Sequence, residues 1–149
     1  MSSIRQLLQL KGDFIWCVTP EATVYDALRL MAEKDIGAVL VMVDDLMVGI
    51  MSERDYARKI VLLGKTSRDT RVGEIMTEKV ITIHPSQTSQ EAVTLMTKNH
   101  IRHLPVVEEE HIIGIISVMD VMRDIIYEQR EKIKSLSEKV SGNKLHPQF

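Results

Sequence analysis

The stretch Gly49-Ile50-Met51-Ser52-Glu53-Arg54-Asp55 returns as Gly114-Ile115-Ile116-Ser117-Val118-Met119-Asp120, 65 residues further on (114−49). Each copy reads as the end of an apolar strand, a turn and the first turn of a helix. Ser52 and Asp55, like Ser117 and Asp120, stand at capping-box spacing, with Asp in place of Glu. A hydroxyl and a carboxylate at a helix mouth can also hold a ligand that offers hydroxyls and an anion. For serine the two readings are compatible, because a capped helix keeps N–H groups free. For aspartate they compete for the same carboxylate.

Extended outward, the match runs from residues 18–61 to residues 83–126 without a gap, with 13 identities in 44 positions. Chance gives about 3 for ordinary composition. Pro20 matches Pro85, Thr23 matches Thr88, and Leu30-Met31 matches Leu95-Met96. An internal repeat fixes architecture better than local propensity does. Each unit reads β-α-β-β-α, an α/β class. The expected division is a first repeat over 4–63, a linker over 64–71, a second repeat over 72–126 and a helical extension over 127–140. A unit of about 60 residues is marginal alone, so the two are expected to pack face to face as a pseudo-twofold module.

Local signals fill in this frame. Ile4, Leu7, Leu8 and Leu10 predict a short helix ending near Gly12, and Phe14–Val18 a strand. Thr23 opens a helix, and the apolar runs 38–43 and 46–51 around Asp44-Asp45 form a hairpin. A helix runs from Ser52 to about Leu63. Val80–Ile83 is the matching strand of the second repeat, and Thr88/Glu91 a full capping box. Helical character continues from Val118 to about Val140, with Met119, Met122, Ile126, Ile133, Leu136 and Val140 at heptad spacing. Ser141-Gly142-Asn143 is expected to stop that helix, and residues 144–149 to fray.

Composition narrows the function. With 44% hydrophobic and 27% charged residues and a net charge of −2, nothing argues for nucleic acid or a membrane surface as partner. The single cysteine, Cys17, excludes an internal disulfide framework and suits a reducing, cytoplasmic setting. No signal-peptide core opens the chain. Cys17 reads as a small buried residue and the methionines as core. Glu108-Glu109-Glu110-His111 reads as a hairpin turn rather than a metal site, and no metal is expected. No nucleophile–base pair, Walker loop or HExxH motif is present, so catalysis is not expected.

With Glu74-Ile75-Met76-Thr77, the Pro-x-x-Thr starts at Pro20 and Pro85, Arg102-His103-Leu104-Pro105-Val106 and the two Gly-x-x-Ser-x-x-Asp figures, residues 4–126 resemble a pair of CBS domains, a Bateman module. The resemblance implies binding of adenine nucleotides in clefts between the repeats, as regulation rather than catalysis. It implies ribose contacts for Asp55 and Asp120, with Ser52 and Ser117 near ribose or phosphate. Ile15, Trp16, Thr77, Lys79 and Val80 would frame the adenine. Gly37, Ala38, Arg102 and His103, with Pro105 in the same motif, would face phosphates. The first repeat has Gly37-Ala38-Val39-Leu40 where the second has Arg-His-Leu-Pro, so the clefts should differ.

Arg102 can donate to two phosphate oxygens at once, or simply open a solvated strand. Arg54 lies in a first helix turn, where the dipole disfavours a cation unless an anion is near. The expected ligand is AMP, followed by ATP, ADP and NAD. The expected output is self-association as a homodimer, or contact with a regulated protein. The alternative is an interaction module with degenerate clefts and the long helix as its contact surface.

Overall fold

A computed structural model describes residues 2–12 and 14–144, with side chains described to residue 140. The elements are α1 (Ile4–Lys11), β1 (Cys17–Val18), α2 (Val24–Lys34), β2 (Ala38–Val43), β3 (Leu46–Ser52), α3 (Glu53–Asp55), α4 (Val72–Ile75), α5 (Ser89–Asn99), β4 (His103–Glu108), β5 (His111–Ser117) and α6 (Val118–Lys144). A π-helix over Tyr56–Val61 continues α3, with the Leu62 N–H donating to the Ala57 carbonyl at 3.3 Å. One helix was expected there; its twin segment in α6 stays α-helical.

The repeat holds down to single backbone features. Thr23 and Thr88 cap α2 and α5. Asp35 and His100 end those helices in the left-handed region, at φ 53° and 54°. Both hairpins carry a register shift, between Val41 and Met42 in one and between Val106 and Val107 in the other. The symmetry breaks at one strand. In the first repeat β1 pairs in parallel with β2, and the Leu40 N–H donates to the Trp16 carbonyl at 3.3 Å. The twin of Leu40 is Pro105, which has no N–H to donate. The predicted strand Val80–Ile83 is therefore reduced to a single parallel bridge, Ile83 to Val106. Pairing at the other end is also shorter than expected, confined to Cys17–Val18 within Phe14–Val18.

The hydrophobic cores cross the boundaries of the sequence repeats. Ile4, Leu7 and Leu8 of α1 are buried with Ile83, Ala92, Met96, Leu104, Ile116 and Val121 of the second repeat. Val72 and Ile75 of α4 are buried with Val24, Met31, Val41, Met51 and Ile60 of the first. Each terminal helix thus completes the core of the other half, which ties together two units too small to stand alone. The 64–71 segment lies along α2: the Val24 N–H donates to the Thr70 carbonyl and the Tyr25 N–H to the Ser67 carbonyl.

Both repeated glycines sit under this exchange. A Cβ on Gly49 would lie 2.7 Å from Met76 Sδ and 3.0 Å from the Thr77 carbonyl oxygen; one on Gly114 would lie 2.7 Å from Leu8 Cδ2. Both are tightly covered, Gly49 by Met76 and Thr77 just past α4 and Gly114 by Leu8 of α1.

The predicted first helix ends at Gly12, with Leu10 on its outer side, 87% exposed. Several other expectations fail locally. Cys17 is exposed rather than buried, because alternation in β1 turns its neighbour Val18 toward the core. Met31, Met51 and Met96 are core, but Met119 and Met122 are exposed. Ser141-Gly142-Asn143 does not stop α6, which runs to Lys144; a glycine there costs about 1 kcal/mol, too little to end the helix. Of the stretch expected to fray, residues 145–149 lie outside the described residues. Residues 129–140 are exposed throughout, so this end of α6 does not fold back on its own module.

Candidate functional site

Strand ends and helix starts of the two repeats meet across the pseudo-twofold axis. The Glu53 N–H donates to the Gly37 carbonyl at 3.0 Å, and its twin, the Val118 N–H, to the Arg102 carbonyl at 2.8 Å. The two repeats face each other here: a Cβ on Gly37, the twin of Arg102, would lie 3.2 Å from Cε1 and Nε2 of His103, the twin of Ala38. The small residue of the first repeat makes room for the imidazole of the second.

Two clefts flank this axis. The first, about 210 Å³, joins Ser52, Arg54, Asp55 and Arg58 of the first repeat to Thr77, Lys79, Val80 and Ile81 and to His100–His103 of the second. The second, about 870 Å³, joins Ser117, Asp120 and Arg123 to Lys11, Phe14, Trp16, Gly37 and Ala38. Arg102 and His103 line both. Of the residues expected at a site, Lys79 and Val80 reach the first cleft with Thr77. Ile15 and Pro105 line neither cleft; Pro105 is buried in its strand.

The helix mouths are capped as their spacing predicts. In the first cleft the Ser52 N–H donates to Asp55 Oδ2 at 2.9 Å and the Asp55 N–H to Ser52 Oγ at 3.3 Å; Lys59 Nζ lies 3.1 Å from Oδ1. In the second the Ser117 N–H donates to Asp120 Oδ2 at 2.8 Å and the Asp120 N–H to Ser117 Oγ at 3.2 Å. Asp55 Oδ2 accepts from both the Ser52 N–H and hydroxyl, at 2.9 and 3.2 Å, and Asp120 Oδ2 from both the Ser117 N–H and Lys11, so the caps hold one oxygen of each carboxylate and leave Oδ1 with acceptor room. The competition expected for aspartate is thus confined to one oxygen of each group.

Charges are distributed unequally. Arg54, Arg58, Lys79 and Arg102 surround the first cleft. Arg54 resolves its place in a first helix turn by donating to the His100 carbonyl at 3.1 Å, at the negative end of α5. Lys11, Arg102 and Arg123 stand at the second cleft. Burial pushes the Asp120 carboxyl up, but hydrogen bonds from Lys11 and Ser117 outweigh it and hold the group below the usual range. Burial, with the Lys11 charge, lowers the His103 pKa from 6.5 to about 4, against the pull of Asp120. His103 is thus neutral at neutral pH, and Arg102 alone carries charge in that pair.

Some lining residues escaped the sequence reading. Arg58 and Arg123 are identical twins one helical turn beyond each aspartate, a signal the repeat did contain. Phe14 stacks on Trp16, centroids 6.3 Å apart, with Lys34 Nζ 4.3 Å from the Trp16 ring. Lys11 lay outside the aligned repeat and gave no signal. No group of three or more His, Cys, Asp or Glu among the described residues could hold a metal ion, and no helix among them is long and apolar enough to cross a membrane.

The sequence profile of the CBS domain matches residues 12–62 and 72–127. The mitochondrial CBS domain-containing protein CBSX3 of Arabidopsis thaliana is 41% identical over 136 residues, covering 88% of this chain and 66% of that protein. A CBS-domain protein of Burkholderia ambifaria of solved structure, described as a candidate for signal transduction, superposes with a TM-score of 0.83 at 46% identity, covering 86% of this chain and 96% of that one. A CBS domain pair in complex with 5′-methylthioadenosine and S-adenosyl-L-methionine superposes with a TM-score of 0.76 at 22% identity, over 86% and 98% of the two chains. The present chain belongs to the CBS-domain family, as a tandem pair with its long helix at the C-terminal side.

Proposed function

We propose that this chain is a non-catalytic regulatory module that binds an adenosine-containing ligand between its repeats. AMP is the first choice, with ATP, ADP and NAD behind it. The observation that carries the reading is the first cleft, where a capped serine–aspartate pair faces Arg54, Arg58, Lys79 and Arg102. Base and ribose would lie toward Thr77–Ile81 and Asp55, with phosphate among the guanidinium groups. Arg58, Lys79 and Arg102 are exposed, so their outer ends can swing to admit a body larger than the cleft itself. The complex with 5′-methylthioadenosine and S-adenosyl-L-methionine shows a pair of this fold holding the adenosine moiety. The setting is a reducing one such as the cytoplasm, where the exposed Cys17 thiol stays free.

A ligand that binds only the folded state stabilises it by about 2.7 kcal/mol at a hundredfold excess over its dissociation constant. Melting temperature should therefore rise with AMP, ADP, ATP or NAD and not with GMP. No shift with any adenine compound at millimolar concentration overturns the reading.

The second reading, an interaction module, has α6 in its favour. Ile133, Leu136 and Val140 are each at least 49% exposed, and an apolar heptad stripe is a seam for a partner helix. The simplest partner is a second copy, giving a homodimer; a regulated protein is the other. Removal of residues 127–149 should lower the oligomeric state in light scattering. An unchanged oligomer would remove α6 from the contact.

A further inference from the structure

Both helix-mouth aspartates carry a lysine, but the lysines stand in different places. Lys59 pairs with Asp55 from one turn further along its own helical segment, and it also donates to the Ile75 carbonyl at 2.8 Å. It does not line the first cleft. Lys11 lines the second. Its ammonium donates at 2.6 Å to Asp120 Oδ2 and at 2.6 Å to the Ile115 carbonyl.

The twin of that carbonyl, on Ile50, is engaged differently. It accepts the Thr77 backbone N–H at 2.9 Å, in a two-rung bridge. The difference arises from helix length. α4 stops at Ile75, and Met76 turns extended (ψ 152°) to pack over Gly49. α1 keeps its helical course to Lys11, so Leu8 covers Gly114 instead. The Ile4 and Arg5 N–H groups meet the Gln87 and Pro85 carbonyls as those of Val72 and Gly73 meet Ala22 and Pro20, so Leu8 is the counterpart of Met76 and Lys11 that of Lys79; the longer helix carries Lys11 onto Asp120.

The geometry points to Lys11 as the specificity-determining residue of the second cleft: it occupies the place at Asp120 that a ribose diol would take, and closes that cleft to adenosine ligands. This rests on the reading of the clefts as adenosine sites. The ammonium offers Asp120 a charged hydrogen bond, stronger than one from a neutral hydroxyl. It also satisfies the Ile115 carbonyl, which a ribose would leave without that donor. With Lys11 removed, the half-buried Asp120 loses its best partner, and the two hydroxyls of a ribose can replace it. Arg102 and Arg123 remain for a phosphate.

The test is a gain of binding. Lys11→Met, which keeps an unbranched side chain and removes the ammonium, is titrated calorimetrically beside the wild type with adenosine and with AMP. Adenosine brings no anion that could draw the ammonium away. Lys11→Gln, which keeps a donor for the Ile115 carbonyl, guards against misfolding of the first variant. The expected result is one more adenosine site per chain in the variants than in the wild type, at least tenfold tighter than any second wild-type event, and lost again on adding Asp120→Asn. Equal stoichiometry in variants and wild type overturns the inference, and so do two wild-type sites, although the proposed function would then stand. A wild type without any site beside a variant with one would support the role of Lys11 while contradicting the proposed use of the first cleft. No binding by either overturns both.

Discussion

The two clefts share a backbone and differ in furnishing. Both have a serine and an aspartate closing a capping box at a helix start, an arginine one turn further on, and a glycine beneath a packed terminal helix. Yet the first is a small cleft ringed by cations and the second a large one lined by aromatics, with an ammonium on its carboxylate. A repeat therefore conserves how chain ends meet, while a few side chains decide what enters. Arg102, where the first repeat has Gly37, and Lys11, seated on Asp120, make most of the difference.

The sharpest way to break this comparison is to substitute its shared glycines. An added Cβ at Gly49 meets the Thr77 backbone oxygen at 3.0 Å as well as Met76, whereas at Gly114 it meets only the tip of Leu8. Overpacking costs about 1–3 kcal/mol, toward the upper end where backbone must move. Gly49→Ala should thus lower the denaturant midpoint more than Gly114→Ala. Equal losses would show that the two helix contacts are equivalent.

A smaller effect is expected in pH. The folded-state pKa of His103 is about 4, below its ordinary 6.5. The unfolded chain therefore binds the proton first, and the stability contribution is present above about 6.5 and lost as pH falls toward about 4. The loss is at most about 1.4 kcal/mol per pH unit from one group. Asp120, whose carboxyl lies below the usual range, adds a loss only at lower pH, as its folded-state value is crossed. His103→Gln should flatten the midpoint between pH 6.5 and 5; an unchanged slope would place the acid sensitivity elsewhere.

Much of this was legible in the sequence. Thirteen identities in 44 positions disclosed the repeat, the caps and both hairpins, because those depend on residues close along the chain. The exchange of α1 and α4 between cores was not legible: which half buries Ile4 and Leu8 depends on core partners at least 75 residues away (83−8). Lys11 was hidden for the same reason, since its contact with Asp120 spans 109 residues. Pro105 shows the intermediate case. It was read as part of a binding motif, yet its physical effect is to remove one rung from a strand.

The most direct test of the central claim, that the first cleft takes the nucleotide and the two clefts are unequal, is calorimetry with AMP at two ionic strengths on the wild type and on Arg102→Ala. The account predicts one site per wild-type chain, weakening as salt rises, with an affinity loss of about 1.5–3 kcal/mol in the variant, as for hydrogen bonds to a charged group. Two identical, salt-insensitive sites per chain, both indifferent to Arg102→Ala, would contradict it.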